Sequence, residues 1–179
     1  MNRRFEVAPV LETERLILRP HGAADFADCV ALWRDPKVIR YTTGSESPPQ
    51  RTWLRLLAYR GLWSLLGFGY WAVHTQSEGY IGELGFADFH RGLEPSIDGV
   101  PEIGWALATR AHGRGYATEA LRAVIAWGDA HLSAARTVCI IHRDNAVSLH
   151  LARKLGYEIE LRAATDEEPH RLLARDRVK

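Results

Sequence analysis

The sequence has few of the residues that mark several common classes of protein. It contains two cysteines in 179 residues, Cys29 and Cys139, and each lies in an apolar run. We therefore expect buried, reduced thiols rather than a disulfide framework or a cysteine metal site. The formal net charge of +1 at pH 7 gives no reason to expect nucleic acid or an anionic membrane as a partner. The eight histidines show no metal-ligand spacing, so we expect no metal.

Long hydrophobic segments are also lacking. No apolar run reaches the roughly 18 residues that a transmembrane helix needs, and residues 1–7 lack the apolar core of a secretory signal. We therefore expect a cytoplasmic protein that binds no membrane. The composition, with 46% hydrophobic and 25% charged residues, is typical of a globular protein, and we assign residues 1–179 to a single domain.

Hydrophobic periodicity predicts a mixed α/β chain with the order β-α-α-β-β-β-α-β-α-β-β. Residues 11–20 are predicted as one strand that ends at Pro20, and Gly82 and Gly85 weaken a later strand or mark a close backbone approach. The predicted helices cover residues 25–34, 50–66, 117–130 and 145–155. The other strands are predicted at 70–74, 80–89, 102–107, 137–141, 157–161 and 171–174, with polar loops at 41–49 and 90–99.

Residues 100–119 indicate a strand, a glycine-containing loop and the start of a helix. The loop reads His112-Gly113-Arg114-Gly115. Free N–H groups and the helix dipole at a helix N-terminus both favour an anion. Glycines let the backbone approach that anion closely. We therefore predict a phosphate-binding loop, but not a dinucleotide fingerprint or a P-loop, because position 118 is Thr and no Gly-Lys-Ser/Thr run occurs.

A second pattern lies further along the chain. Asn145 and Ser148 are three residues apart, so both project from one face of the first turn of a helix. Gly156 is typical of a helix end. By itself, Asn145 is equally compatible with a simple helix N-cap.

Both patterns resemble motifs of the GNAT superfamily of N-acetyltransferases. Residues 112–117 are similar to its acetyl-CoA loop, Q/R-x-x-G-x-G/A, with His112 in place of Gln or Arg. Residues 145–157 match its N-x-x-S-x-x-x-x-x-K-L-G-[FY] signature. Residues 11–19 resemble the opening of RimJ/RimL-type members. The resemblance implies a GNAT acyl-CoA N-acyltransferase fold, with a mixed, mostly antiparallel twisted sheet of about seven strands flanked by about four helices.

The resemblance also implies a site for acetyl-CoA. The residues expected to contact it are Ala106, Leu107, Ala108, His112, Gly113, Arg114, Gly115, Tyr116, Ala117, Thr118, Asn145, Ser148 and Lys154. A backbone N–H near Leu107 is expected to polarise the thioester carbonyl. Ser148 is expected to protonate the leaving thiolate, with Asn145 beside it in the catalytic set, and Tyr157 or water is the second candidate for the acid.

Acetyl transfer also needs a neutral amine. An α-amine has a pKa near 8, so part of it is already free base at pH 7 and a modest general base suffices. We expect Glu102 to be that base. His142 and Glu83 are weaker candidates, and for Glu83 we favour a solvated strand residue.

The expected function is acetyl-CoA-dependent transfer of an acetyl group to a primary amine, foremost a protein N-terminal α-amine of the ribosomal-protein type. The alternatives are acetylation of a small amine (an antibiotic, polyamine or amino acid) and a non-catalytic acetyl-CoA-binding module. An acidic, open groove would favour a peptide, and a closed apolar pocket a small molecule. We expect a monomer or a homodimer, since Trp53 and Trp63 look exposed in the sequence.

Overall fold

The computed structural model describes residues 5–177, and its strands form one sheet. The eight described strands are β1 (Leu11–Glu12), β2 (Leu16–Arg19), β3 (Tyr70–Thr75), β4 (Gly79–Ala87), β5 (Glu102–Leu107), β6 (Arg136–His142), β7 (Ile159–Arg162) and β8 (His170–Asp176). They lie in the order β1-β2-β3-β4-β5-β6-β8-β7. Within this described sheet, neighbouring strands are antiparallel except for β5 and β6.

Helices pack against this sheet. Those in the described residues are α1 (Phe26–Leu32), α2 (Pro36–Ile39), α3 (Pro49–Leu66), α4 (Tyr116–His131) and α5 (Ala146–Lys154). The predicted mixed α/β class is confirmed, with eight strands and five α-helices in the described chain instead of about seven and four.

The two additional elements have local causes. Residues 11–20 form a hairpin of β1 and β2 instead of one strand, because the chain turns after Thr13, whose N–H donates to the Leu16 carbonyl at 2.9 Å. The short α2 begins at Pro36, whose ring suits a first helical position. The Asp35 carboxylate caps it by accepting from the Lys37 N–H at 3.0 Å.

The core lies between the sheet and helices α3 and α4. The buried face of α4 includes Leu121 and Val124, and a Cβ on Gly128 would lie 2.8 Å from the Phe86 ring, so this helix packs directly on the sheet. On α3, Trp63 is only 2% exposed and its indole N–H donates to the Tyr70 carbonyl at 3.1 Å. The expectation of an exposed Trp63 is therefore wrong, whereas Trp53 is 37% exposed.

Strands β5 and β6 separate soon after they meet. Their one paired position in the described sheet is Glu102 opposite Val138, where the Val138 N–H donates to the Pro101 carbonyl at 3.0 Å. Strand β6 stays paired with β8 along its whole length, whereas β5 stays with β4. The second half of β5 therefore has an open edge, and a gap lies between it and β6.

Strand β4 lies unusually close to its neighbours. A Cβ on Gly82 would lie 2.3 Å from the Ala106 carbonyl oxygen, and one on Gly85 would lie 2.2 Å from the Gly69 carbonyl oxygen. The close backbone approach predicted for these glycines is confirmed.

None of the helices within residues 5–177 combines the length and the apolar composition that a membrane-spanning segment requires.

Candidate active site

A cavity of about 480 Å³ fills the gap between β5 and β6. Its walls come from β4, β5, β6, α3 and the start of α5. Of the side chains predicted to act chemically, it brings together Glu83, Glu102, His142, Asn145 and Ser148. Of the predicted cofactor residues outside α5, Ala106 also lines it. The predicted loop at residues 112–118 lies outside the cavity, at the far end of β5.

The open edge of β5 presents unpaired amide groups to the gap. In an antiparallel pair, successive residues direct their N–H groups alternately toward and away from the partner strand. The Ala108 N–H donates to the Ile81 carbonyl on β4 at 2.8 Å. The N–H groups of Leu107 and Trp105 therefore point away from β4 and into the gap, where β6 has already diverged.

The loop after β5 has the backbone shape of an anion cradle. Gly113 and Gly115 have φ angles of 72° and 80°, which glycine adopts without strain. Gly115 is the N-cap of α4, so the first N–H groups of that helix face the loop. The Nε2 atom of the His112 ring lies 2.8 Å from the Leu107 carbonyl oxygen. His112 therefore links the loop to the open end of β5.

The first hairpin supports this loop. Glu119, in the first turn of α4, accepts from the Thr13 hydroxyl at 2.6 Å and from the Arg15 Nε at 2.7 Å. Arg15 also donates to the Arg114 carbonyl at 2.9 Å. These contacts neutralise the one acidic side chain of that helical turn and place a guanidinium beside the glycines.

Asn145 and Ser148 meet at the start of α5. Asn145 Oδ1 accepts from the Ser148 backbone N–H at 3.1 Å, so Asn145 is the N-cap of the helix. The Ser148 hydroxyl takes no part in that bond, and both residues line the cavity. Tyr157 is fully buried, and its hydroxyl is 2.7 Å from the Thr137 Oγ1 and outside the cavity lining. Its predicted role as a second acid therefore finds no support in the geometry.

A model of the acetyltransferase (GNAT) domain matches residues 15–158. The chain belongs to this family. It is 28% identical to an uncharacterized N-acetyltransferase, YoaA of Bacillus subtilis, over 85% of this chain and 84% of that protein.

Solved GNAT structures share the whole fold. A GNAT-family acetyltransferase of Bordetella pertussis is 36% identical with a TM-score of 0.81, and the match covers 94% of this chain and 99% of that one. RimL, a ribosomal L7/L12 α-N-protein acetyltransferase solved with coenzyme A, is 17% identical with a TM-score of 0.73, covering 94% of this chain and 98% of that one. At that identity, the likeness to RimL shows the fold alone.

Two buried carboxylates lie within this GNAT cleft. Glu102 is 5% exposed. The Arg91 guanidinium binds its carboxylate through two hydrogen bonds, from Nε to Oε2 at 2.6 Å and from Nη2 to Oε1 at 2.8 Å. Arg91 comes from the polar loop before β5, which the sequence pattern did not connect to the site. Glu102 is therefore fixed in place by a charged partner.

Glu83 is more buried still, at 1% exposure, so the expectation of a solvated strand residue is wrong. Three neutral donors surround its carboxylate: the Trp33 indole N–H at 2.9 Å, the Tyr59 hydroxyl at 2.6 Å and the Tyr80 hydroxyl at 3.0 Å. We call Trp33, Tyr59 and Tyr80 the Glu83 cage. Its members come from α1's C-terminal cap, α3 and β4.

The surroundings of Glu83 favour its ionised form. Burial by itself would raise its pKa, but the His21 ring, the Tyr59 hydroxyl and the Arg55 guanidinium together outweigh burial and hold the pKa below its usual range. Burial, with the nearby Glu83 charge, raises the pKa of the Cys29 thiol to about 12, so this thiol stays protonated. The expected burial of Cys29 and Cys139 is confirmed.

Two groups of described side chains have metal-ligating atoms within reach of one another: His21, Cys29 and Glu83, and the more exposed Asp88, His90 and Asp98. In the buried group, the Glu83 carboxylate oxygens already accept from the Trp33 N–H and from the Tyr59 and Tyr80 hydroxyls. This donor set fits a hydrogen-bonded carboxylate better than a metal centre.

The remaining predicted cofactor residue lies apart. Lys154 is the last residue of α5, about two and a half turns from Asn145, and it is exposed and outside the cavity lining. Only the far end of a long ligand could reach it.

The acceptor side of the cleft matches neither of the two expected patterns, an acidic open groove or a closed apolar pocket. The cavity adjoins a groove of about 710 Å³, and the two share Arg51, Arg55, Tyr59, Phe89 and Arg91. The charged side chains that line the groove are Arg51, Arg55 and Arg91. The groove is therefore open but basic, neither acidic nor a closed apolar pocket.

The loop geometry gives a prediction for cofactor affinity. Gly115→Asp should raise the Kd for acetyl-CoA roughly tenfold or more, because it places a negative charge and a Cβ at a position with positive φ beside the phosphate cradle. Gly115→Ala is the matched control, with the same backbone strain and no charge, and should lose less. Isothermal titration measures both, and unchanged affinity of the Asp variant would remove the phosphate site from this loop.

Proposed function

We propose that this acetyltransferase takes the acetyl group of acetyl-CoA and transfers it to a protein N-terminal α-amine of the ribosomal-protein type. The observation that carries the proposal is the gap beside β5. There, the Trp105 backbone amide, a serine hydroxyl at a helix start and two buried carboxylates border a single cavity, and the Leu107 N–H points into the same gap. These are the groups that acyl transfer to an amine requires.

The residues at the end of β5 suit acetyl-CoA. Residues 112–118, which include His112 and Arg114, would hold the pyrophosphate at the N-terminus of α4. Ala106, Leu107 and Ala108 would bind the pantetheine arm along the open edge of β5, and Lys154 would contact the distal part of the molecule. Acetyl-CoA supplies a thioester, whose acyl group an amine can displace.

Groups of this chain then stabilise the charges that develop during acetyl transfer. The Leu107 N–H stabilises the negative charge on the carbonyl oxygen, because it points into the gap and has no strand partner. Ser148 donates a hydrogen bond from its hydroxyl to the departing sulfur, which takes the electron pair of the broken C–S bond and leaves as a thiolate. Asn145 fixes Ser148 by capping the helix. Glu102 accepts the proton that the amine loses, directly or through water.

The open groove supports a peptide acceptor. A small-molecule pocket encloses most of its ligand, whereas this cavity adjoins a groove about 710 Å³ in volume, which leaves room for the chain that follows an N-terminal residue. An α-amine also suits Glu102, since part of the amine is already neutral at pH 7. Small antibiotics, polyamines and amino acids remain the second class of acceptor to be tested.

Turnover tests the proposal. Purified protein is incubated with acetyl-CoA and a panel of amines, including peptides with free and blocked N-termini, and the free CoA thiol is detected colorimetrically. We expect release of CoA with free N-termini and none above background with blocked ones. Tight binding of acetyl-CoA without CoA release on any amine would show a binding module instead of an enzyme.

The role of Glu102 as general base predicts a specific pH dependence of kcat/KM. Glu102→Gln should lower kcat/KM most at low pH, where the amine is charged, and least at about pH 9–10, where an α-amine is neutral without help. Steady-state profiles of the variant and the wild type measure this. Glu160→Gln is the control, since Glu160 pairs with Arg171 on the surface. A loss of equal size at every pH would make Glu102 an anchor for Arg91 and transfer the role of base to Glu83 or His142.

A further inference from the structure

Two arginines on the α3 wall of the cleft have no carboxylate partner. Arg51 and Arg55 are one helical turn apart, and both line the cavity and the groove. In the described part of the chain, no ion pair involves either of them. The third arginine that lines both the cavity and the groove, Arg91, pairs with Glu102. The positive charge on this wall is therefore not neutralised by the protein.

Arg55 is held as a binding group would be. Its Cζ lies 3.6 Å from the centre of the Trp33 ring, a cation–π contact that fixes the plane of the guanidinium. Its Nη1 is buried and has no hydrogen-bond partner. Buried donors are almost always paired in proteins. An oriented guanidinium that lines the cavity and the groove, and that has an N–H group without a partner, can bind the carboxylate of a ligand.

The carboxylates already in the cleft do not accept from this N–H group. Glu83 accepts from its cage and Glu102 from Arg91, and neither forms an ion pair with Arg55. Arg55 only influences Glu83 at longer range, where its charge lowers the pKa of that carboxyl. The unused hydrogen bonds of Arg55 are thus left for a ligand that comes along the groove.

We propose that the acceptor is an amine with a carboxylate close to it, and that Arg55, assisted by Arg51, binds this carboxylate. This inference rests on the proposed function and narrows its acceptor to acidic amines. The open groove favours an N-terminal peptide with acidic residues directly after the first. A free acidic amino acid offers the same chemistry, and the experiment separates the two sources.

The test uses acetylation kinetics with matched acceptors. Three peptides share an N-terminal Ser and differ in that residues two and three are both Asp, both Asn or both Lys. Free aspartate and aspartic diamide, in which both carboxylates are replaced by amides, form a second arm. We expect kcat/KM for the Asp peptide to exceed that for the Asn peptide roughly 10–100-fold, mainly through KM, since one carboxylate–guanidinium contact is worth about that factor. The same preference in the amino-acid arm alone would assign the carboxylate site to a small acceptor.

Variants on α3 assign the preference to residues. Arg55→Gln should abolish the Asp-over-Asn preference, and Arg55→Lys should restore only part of it because an ammonium lacks the planar fork. Arg51→Glu, at an exposed position, should raise kcat/KM for the Lys peptide. Arg60→Gln is the matched control, since Arg60 is exposed on the same helix and lines neither the cavity nor the groove. Melting curves and acetyl-CoA titrations check folding and cofactor binding.

The outcomes distinguish this inference from the function beneath it. In the wild type, equal kcat/KM for the Asp and Asn peptides together with equal kcat/KM for aspartate and its diamide would overturn the inference and leave N-acetyl transfer intact. A preference that survives in both Arg55→Gln and Arg51→Glu would also overturn it, as would a loss that lies in acetyl-CoA affinity alone. Absence of turnover on every amine would overturn the proposed function itself.

Discussion

Ser148→Ala should lower kcat by about 100-fold while changing the KM for acetyl-CoA much less. If the hydroxyl donates to the departing sulfur, its contact strengthens only as thiolate charge develops, and loss of such a contact appears in kcat. General acid catalysis contributes roughly 10²–10⁴-fold. We expect the lower end, because a thiolate is already a tolerable leaving group. Steady-state kinetics with acetyl-CoA and a saturating peptide measure the effect.

The fold should survive this substitution, which makes the result interpretable. The capping bond of α5 runs from the Ser148 backbone N–H to Asn145 Oδ1, and an alanine keeps that N–H. Asn145→Ala removes the capping bond and keeps the Ser148 hydroxyl. It should lower the free energy of unfolding by about 0.5–2 kcal/mol through loss of the cap. Unchanged kcat in a folded Ser148→Ala protein would reduce Ser148 to a structural role and give the acid role to water.

Glu83→Leu should be the most damaging single change to stability. It removes the acceptor of three buried donors, Trp33, Tyr59 and Tyr80. Each buried donor without a partner costs roughly 1–3 kcal/mol, which together approaches the whole stability of a typical domain. We expect a largely unfolded protein, or a melting temperature lowered by more than about 10 °C. Thermal and urea unfolding measure the loss.

Glu83→Gln separates the cage from the charge. The amide oxygen can accept from Trp33 and Tyr59, and the Tyr80 hydroxyl can rotate to accept from the amide N–H, so this variant should fold. Its pH dependence should also change. Because the folded pKa of Glu83 is depressed, its charge stabilises the wild type above the unfolded pKa of about 4.3, and this contribution is lost as the pH falls through the folded value. The Gln variant should therefore lose less stability in acid, and an identical acid profile would contradict the assignment.

Periodic segments and short motifs were enough to predict most of the fold. The helix over 117–130 has a single apolar face, and the structure extends it by one residue at each end. The gap beside β5 is consistent with the predicted backbone donor near Leu107, whose catalytic role stays a prediction. The prediction of one strand over residues 11–20 was wrong, because a hydrogen bond overrides the local strand propensity there. The Thr13 N–H donates to the Leu16 carbonyl and forms a turn that divides these residues into two strands.

The chemistry of the cleft depends on contacts that no local pattern carries. The Glu83 cage joins residues 3 to 50 positions away in the chain. Glu83 was expected to be a solvated strand residue, because a single sequence does not reveal distant hydroxyl and indole donors. The same holds for Arg91, which lies in a polar loop and still anchors Glu102. A buried carboxylate is recognisable only when its partners are placed in space.

The most direct test of the central claim is the position of the acetyl group in the product. A peptide with a free N-terminus followed by two Asp residues, and with one Lys near its C-terminus, is incubated with the protein and acetyl-CoA and then sequenced by tandem mass spectrometry. The account predicts one acetyl group on the α-amine, in amounts that match the CoA released, and an unmodified Lys. Acetylation confined to the Lys ε-amine, or no acetylated peptide while a small amine is turned over, would contradict it.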